Sequence, residues 1–172
     1  RLFFDLVYSW GVLHHTGDMY LGLRRAARMV SRHGEIAFAL YHRTMMCPLW
    51  MLEKRWYSGA SKTKQAAASS MYIALQILRL WARGRSYRDF VSNYTKHRGM
   101  SDHHDVHDWL GGYPYESVLP NAVDRAMKKL GFSLVRRFVR EGFGTNIGLF
   151  GTGCDEYVYR SELGRFAVTP KG

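Results

Sequence analysis

The chain has 172 residues, 47% of them hydrophobic, which is enough for one domain with a real core. A net charge of +11, from 25 Lys and Arg against 14 Asp and Glu, leaves a nucleic-acid partner open but does not favour it, because no recognition motif accompanies the basic residues. Cys47 and Cys154 lie far apart without a CxxC neighbour, which argues against a disulfide scaffold and favours a reducing, cytoplasmic compartment. No apolar stretch approaches the length that spans a bilayer.

The chain opens on a predicted strand that leads into a loop. Phe3 to Tyr8 is a nearly continuous apolar run with one Asp, the pattern of a parallel strand that is covered on both faces. Small and polar residues follow from Ser9 to Asp18. In open parallel sheets, ligands bind beyond the carboxyl ends of the strands, so we expect this loop to contribute to a site.

A helix and a second strand come next. One helical face contains Tyr20, Leu23, Ala27 and Val30. Thr16 or Asp18 can cap the helix at its start. Gly34 follows the helix and is available for a left-handed turn. Ile36 to Tyr41 reads as the next buried strand. Strand, helix and strand within about forty residues predict a parallel crossover.

Residues 44–112 read as a helical insertion. It begins with a methionine- and tryptophan-rich segment, Met45 to Trp56, which would form an adaptable lid over an apolar substrate, an ordinary helical core or a membrane-facing patch. Two helices are predicted to follow, one from Lys64 to Ala82 and one from Tyr87 to His97. The first places on one face Met71, Leu75, Leu78 and Trp81.

The last part of the chain predicts a turn-rich loop, a helix and two strands. The loop runs from Asp108 to Glu116, and its glycines and aromatics could line a pocket. The helix begins after Pro120, with Asn121 as a cap and with an apolar face of Val123, Ala126, Met127 and Leu130. The strands, around Phe132 to Phe138 and from Cys154 to Tyr159, should pair antiparallel across a Gly-rich turn from Gly142 to Gly153.

Two of these segments carry a resemblance to a known family. FDLVYSWGVLHHTGD, from Phe4 to Asp18, closely resembles the fourth-strand segment of class I S-adenosylmethionine-dependent methyltransferases, especially their small-molecule and quinone-type branch. DWLGGYPYE, from Asp108 to Glu116, resembles a segment before the last helix in some members of that branch.

The resemblance implies a fold and an organisation. It implies an α/β fold: the C-terminal portion of a Rossmann-like methyltransferase sheet, with a helical insertion and a C-terminal antiparallel hairpin whose final strand inserts antiparallel into the sheet. Residues 1–172 would form a single, incomplete domain, because the family's Gly-rich loop and the acidic residue that ends its second strand precede the segment seen here. The implied function is methyl transfer from S-adenosylmethionine to a small-molecule acceptor, with the N-terminal cofactor-binding half absent from this chain.

The resemblance and the sheet geometry together nominate the site residues. His14 and His15 would lie at the border between cofactor and acceptor, with His15 as a substrate-facing base, although either ring could instead bond the following turn or be solvated. The resemblance gives cofactor contact to Ser9, Trp10, Gly11 and Val12. Substrate contact is predicted for residues at the same sheet edge and in the Trp-Gly-Gly loop, namely Tyr41, His42, Arg43, Trp109 and Tyr113.

Two alternatives compete with this interpretation. The first is a metal site in the polar run from Asp102 to Asp108, where His103 and His107 would share one helical face. One polar run seldom supplies a converging set of ligands, so we predict no metal. The whole chain could also be a non-catalytic or truncated basic module that binds a protein or RNA. The sequence does not specify the acceptor, the choice of O-, N- or C-methylation, or the oligomeric state.

Overall fold

The computed structural model describes residues 2–98, 102–139 and 153–162, without the side chains of residues 93–98 and 102–105. The chain divides into two compact units. We call Arg1–Trp50 with Pro114–Gly172 the sheet unit, and Met51–Tyr113 the helical unit. The elements, in chain order, are β1 (Phe4–Trp10), a 3₁₀ helix (Leu13–His15), α1 (Met19–Ala27), β2 (Val30–Tyr41), α2 (Cys47–Gly59), α3 (Lys62–Trp81), α4 (Tyr87–Arg98), α5 (Asp102–Gly111), α6 (Pro120–Lys129), β3 (Phe132–Phe138) and β4 (Cys154–Ser161).

The four strands form one mixed sheet in the order β1-β2-β4-β3. β1 and β2 pair in parallel across α1, so the predicted crossover is confirmed. β4 lies between β2 and β3 and is antiparallel to both, which confirms the predicted antiparallel pairing of the last two strands. The fold is therefore mixed α/β.

β1 corrects one prediction from the sequence. It is not covered on both faces, and it lies at the edge of the sheet, where it pairs only with β2 among the described strands. Every second side chain along it is exposed: 43% of Phe4, 59% of Leu6, 64% of Tyr8 and 46% of Trp10. An apolar run indicates that a strand tends to be buried, but whether another part of the chain covers it depends on the whole sheet.

Gly34 corrects another. It is not a left-handed turn residue, because β2 already begins at Val30, and the positive φ of 63° belongs to His33. Gly34 is required for space instead: a Cβ there would lie 3.0 Å from the Asp5 carbonyl oxygen of the adjacent strand and 2.8 Å from Oγ of Ser31. The register of the two strands shifts between Phe4 and Leu6, next to this contact.

The core of the sheet unit lies between one face of the sheet and helices α1 and α6. Leu23 of α1, Phe38 of β2, Met127 of α6 and Tyr157 of β4 are all buried in it. Tyr20 is 44% exposed and so lies outside the apolar face that was predicted for α1. Pro120 is the first residue of α6 and Leu119 its N-cap, so Asn121 is not the cap that the sequence suggested.

Asp18, one of the two residues predicted to cap α1, is its N-cap, and we expect its substitution to lower stability measurably. Its Oδ1 accepts a hydrogen bond of 2.9 Å from the Leu21 backbone N–H. Asp18→Ala should lower the free energy of unfolding by about 1 kcal/mol in urea denaturation, because this donor loses its protein partner. The matched control is Ser61→Ala, since Ser61 is the N-cap of α3 but its side chain makes no capping hydrogen bond. Equal losses in the two variants would contradict the cap assignment.

The helical unit has a small core of its own, which contains Tyr57, Val106 and Leu110. The stripe that was predicted on α3 does lie on one face, but it faces outward: Met71 is 64% exposed, Leu75 51% and Leu78 57%. The opposite face of α3 packs inward through Tyr72 and Ile73. Of the described helices, none is both long and apolar enough to cross a membrane.

Two predictions fall partly or wholly outside the described residues. The side chain of His103 is one of them, and the Gly-rich turn is described only at Gly153. His107 is described, and its Nδ1 lies 2.7 Å from the Tyr57 hydroxyl. Within the described residues no three His, Cys, Asp or Glu side chains are placed to hold a metal ion.

Candidate functional site

The carboxyl ends of β1 and β2 meet at one edge of the sheet, because the two strands are parallel. An aromatic cluster lies there. The His14 ring centroid is 3.9 Å from that of Tyr41 and 4.4 Å from that of His15, and Tyr41 is 5.1 Å from Tyr115. The His14 carbonyl accepts a 3.0 Å hydrogen bond from the Glu116 backbone N–H, which joins the two chain segments that form the cluster.

His14 is buried and neutral. Burial, reinforced by the positive charge that His15 can carry, lowers the pKa of His14 from 6.5 to about 3, against a smaller opposing effect of the Ala39 backbone. Its Nδ1 is buried without a hydrogen-bond partner in the described structure. A group with this pKa holds no proton near neutrality and accepts one poorly, so His14 is best suited to packing.

His15 is half-buried, and its hydrogen bond defines its tautomer. Nδ1 lies 2.7 Å from the Pro114 carbonyl oxygen, which can only accept, so Nδ1 carries the proton and donates. This leaves the lone pair on Nε2. Nε2 is therefore the ring nitrogen of His15 that could act as a base.

His42 has a stronger partner. Its Nδ1 lies 2.7 Å from Oδ2 of Asp155, whose side chain is 1% exposed against 23% for His42. The Tyr157 hydroxyl donates a 3.3 Å hydrogen bond to the same carboxylate. Burial, followed by the charge of Asp155, raises the pKa of Tyr157 well above its usual value, so this hydroxyl keeps its proton and remains a donor.

Sequence reasoning missed Asp155 and Glu116. Asp155 is the first of a row of alternate buried residues in β4, with Tyr157 and Tyr159, and a carboxylate in such a row is unusual without a partner. That is the signal that could have identified it. Glu116 is the last residue of the predicted loop from Asp108 to Glu116. Its Oε2 accepts a hydrogen bond of 2.8 Å from the backbone N–H of Met19, the first residue of α1.

The predicted cofactor segment lies at the end of β1. Ser9 is half-buried, whereas Trp10 and Val12 are 46% and 56% exposed. Gly11 has a φ of +71°, and no atom lies within 4 Å of the position that a Cβ would occupy. Its backbone is thus open to close approach by a ligand.

No family model matches this chain, and no curated protein sequence does. The functional assignment therefore depends on the residues and the geometry of the two units.

The remaining predicted residues divide between the units. Arg43 is exposed, and its backbone N–H donates to the Val118 carbonyl oxygen at 3.1 Å. Trp109 belongs to the helical unit, where the Lys54 ammonium lies 3.6 Å from its ring centroid and burial lowers the Lys54 pKa to about 8. Tyr113 is in the same unit and 43% exposed. The structure thus brings His14, His15 and Tyr41 together in the sheet unit and places Trp109 and Tyr113 in the other.

Proposed function

We propose that this chain is the acceptor-side, C-terminal part of a class I S-adenosylmethionine-dependent methyltransferase domain that acts on a small molecule. One observation carries the proposal. β4 is inserted between β2 and β3 and is antiparallel to both, while β1 and β2 are parallel. This is the arrangement that the resemblance implies for the end of such a sheet, in which the final strand lies antiparallel between two earlier strands.

The exposed edge of the sheet supports the second part of the proposal, that a cofactor-binding half completes the domain. β1 presents an unpaired backbone edge among the described strands, together with the exposed apolar side chains of Leu6, Tyr8 and Trp10. Natural proteins usually shorten, charge or cover such an edge. A neighbouring strand that carries the Gly-rich loop would cover it.

Different residues at the carboxyl ends of β1 and β2 would bind the methyl donor and the acceptor. When bound, S-adenosylmethionine supplies a methyl group on a positively charged sulfur. Ser9, Trp10, Gly11 and Val12 would hold the donor side, while Tyr41, His42 and Arg43 would contact the acceptor. His15 and His42 are the two candidate bases in the sheet unit, and His14 packs against the rings of His15 and Tyr41. The contribution of this chain is mainly orientation.

A second candidate function is a non-catalytic basic module. Its supporting observation is the net charge of +11. Such a module would bind RNA with an affinity that falls steeply with salt, by about 0.7 decades per decade of salt for each phosphate neutralised on a single strand. Salt-dependent RNA binding without donor binding would favour this alternative.

Calorimetric titration with S-adenosylmethionine tests the proposal, in the polypeptide that includes the encoded segment upstream of Arg1. We expect saturable binding that Gly11→Val weakens at least tenfold, because a β-branched residue cannot adopt a φ of +71° without strain and would fill the open space. The matched control is Gly59→Val, since Gly59 also has nothing within 4 Å but no positive φ. Absence of binding in the longer polypeptide would contradict the proposal.

A further inference from the structure

The His42–Asp155 pair is chemically distinct from every other histidine contact described in the sheet unit. Asp155 is a fully buried carboxylate, and its Oδ2 receives two donors, the His42 ring at 2.7 Å and the Tyr157 hydroxyl at 3.3 Å. Burial of a carboxylate is costly unless hydrogen bonds or a positive charge compensate it. The two hydrogen bonds to Asp155 provide this compensation.

The contact with Asp155 also defines which ring nitrogen of His42 carries the proton. Asp155 can only accept in its ionised form, so Nδ1 of His42 carries the proton and Nε2 carries the lone pair. No described residue donates to or accepts from Nε2, and the His42 side chain is 23% exposed. A ligand at the carboxyl end of β2 would therefore meet an unprotonated ring nitrogen.

The two candidate bases differ in what lies behind the ring. Nδ1 of His15 faces the neutral carbonyl of Pro114, and Nδ1 of His42 faces a carboxylate. When Nε2 takes up a proton, the new positive charge is stabilised more strongly by a carboxylate than by a neutral carbonyl dipole. In enzymes that use a carboxylate–imidazole pair, the carboxylate holds the tautomer and stabilises the imidazolium without itself taking the proton.

We infer that His42, positioned by Asp155, accepts the proton from a hydroxylated methyl acceptor, and that His15 does not. The inference rests on the proposed function. The acceptor's hydroxyl proton moves to Nε2 of His42 as the acceptor oxygen bonds to the methyl carbon. The carbon–sulfur bond breaks with its electron pair on sulfur, which leaves S-adenosylhomocysteine. His42 is the catalytic residue and Asp155 a positioning residue, and the substrate class is one with a weakly acidic hydroxyl group.

The pair itself can be tested without turnover, with diethyl pyrocarbonate as the probe of unprotonated ring nitrogen. We expect Asp155→Asn to slow carbethoxylation of His42 about tenfold, measured by peptide mass spectrometry with the exposed His33 of the same molecule as the internal reference. An asparagine amide would donate to Nδ1 and move the ring proton to Nε2, which is the wrong tautomer. Long-range ¹H–¹⁵N spectra should report the same exchange of the protonated nitrogen.

Tyr157→Phe is the matched control. It removes the longer of the two hydrogen bonds to Asp155 and leaves the His42–Asp155 contact in place. The His42 rate should then stay within twofold of the original. An unchanged His42 rate in Asp155→Asn, with the ring proton still on Nδ1, would overturn the role of Asp155.

The catalytic part is tested by S-adenosylhomocysteine formation, with the small-molecule fraction of the source cells as the acceptor pool. His42→Gln should lower the rate at least a hundredfold, the usual contribution of a general base, while His15→Gln stays within tenfold. The reverse order would overturn the assignment of the base. Failure of the unsubstituted protein to bind donor or form product would instead refute methyl transfer, and the tautomer of His42 would be unaffected by that result.

Discussion

Acidification from pH 7 to pH 4 should remove about 3 kcal/mol of the free energy of unfolding through His14 alone. The pKa of His14 is about 3 in the folded chain and near 6.5 when the chain is unfolded. Between these two pKa values, His14 is therefore protonated in the unfolded state and unprotonated in the folded state. The stability is fully present above pH 6.5 and is lost as the pH falls toward 3, where the total approaches about 5 kcal/mol.

Urea denaturation at pH 7 and pH 4 measures this effect. His14→Phe keeps an aromatic ring against Tyr41 but cannot titrate, so the loss of stability between the two pH values should shrink by about 3 kcal/mol. The matched control is His33→Asn, since His33 is exposed and asparagine tolerates its positive φ of 63°. His33→Asn should lose as much stability between pH 7 and pH 4 as the unsubstituted chain. Equal pH dependence in His14→Phe and the unsubstituted chain would contradict the neutral, buried assignment of His14.

Phe38→Ala should lower the free energy of unfolding by about 3–5 kcal/mol. Phe38 is fully buried in β2, and its ring centroid lies 5.4 Å from that of Tyr157 and 5.9 Å from that of Tyr159. The substitution leaves a cavity in the core on the buried face of the sheet, beside Tyr157 and Tyr159 of β4. The effect is large because the two tyrosine rings are held by their own strand and cannot close the cavity.

The matched control for Phe38 is a phenylalanine in the same sheet. Phe138 is the last residue of β3 and 50% exposed, with the Arg136 guanidinium 4.4 Å from its ring centroid. Phe138→Ala should cost about 1 kcal/mol or less, as surface substitutions usually do. Urea denaturation midpoints of the two variants measure the difference, and similar losses would contradict the burial of Phe38.

Local patterns in the sequence were sufficient to predict the crossover and the antiparallel pairing. The change from an apolar run to helical spacing after Asp18, and back to an apolar run at Ile36, follows from which residues share a face. Asp18 was also identifiable as a cap, because an Asp directly before an amphipathic segment has a local partner in the helix backbone.

The errors concern burial, which depends on distant parts of the chain. The apolar residues of β1 and the Met71, Leu75 and Leu78 stripe of α3 have the correct spacing for their elements but are exposed. Periodicity identifies a face without identifying what covers it. The pairing of His42 with Asp155 joins residues 113 positions apart, and nothing local to His42 indicates that partner. Gly34 shows the same limit, since its requirement comes from the neighbouring strand.

The most direct test of the central claim is an NMR titration of S-adenosylmethionine into ¹⁵N-labelled protein that includes the encoded segment upstream of Arg1. If the carboxyl edge of β1 holds the methyl donor, the amide signals of Ser9, Trp10, Gly11 and Val12 will shift with the calorimetric affinity. The amides of the outward face of α3 will stay in place. Absence of any shift at saturating donor, or shifts confined to the helical unit, would contradict the methyltransferase assignment.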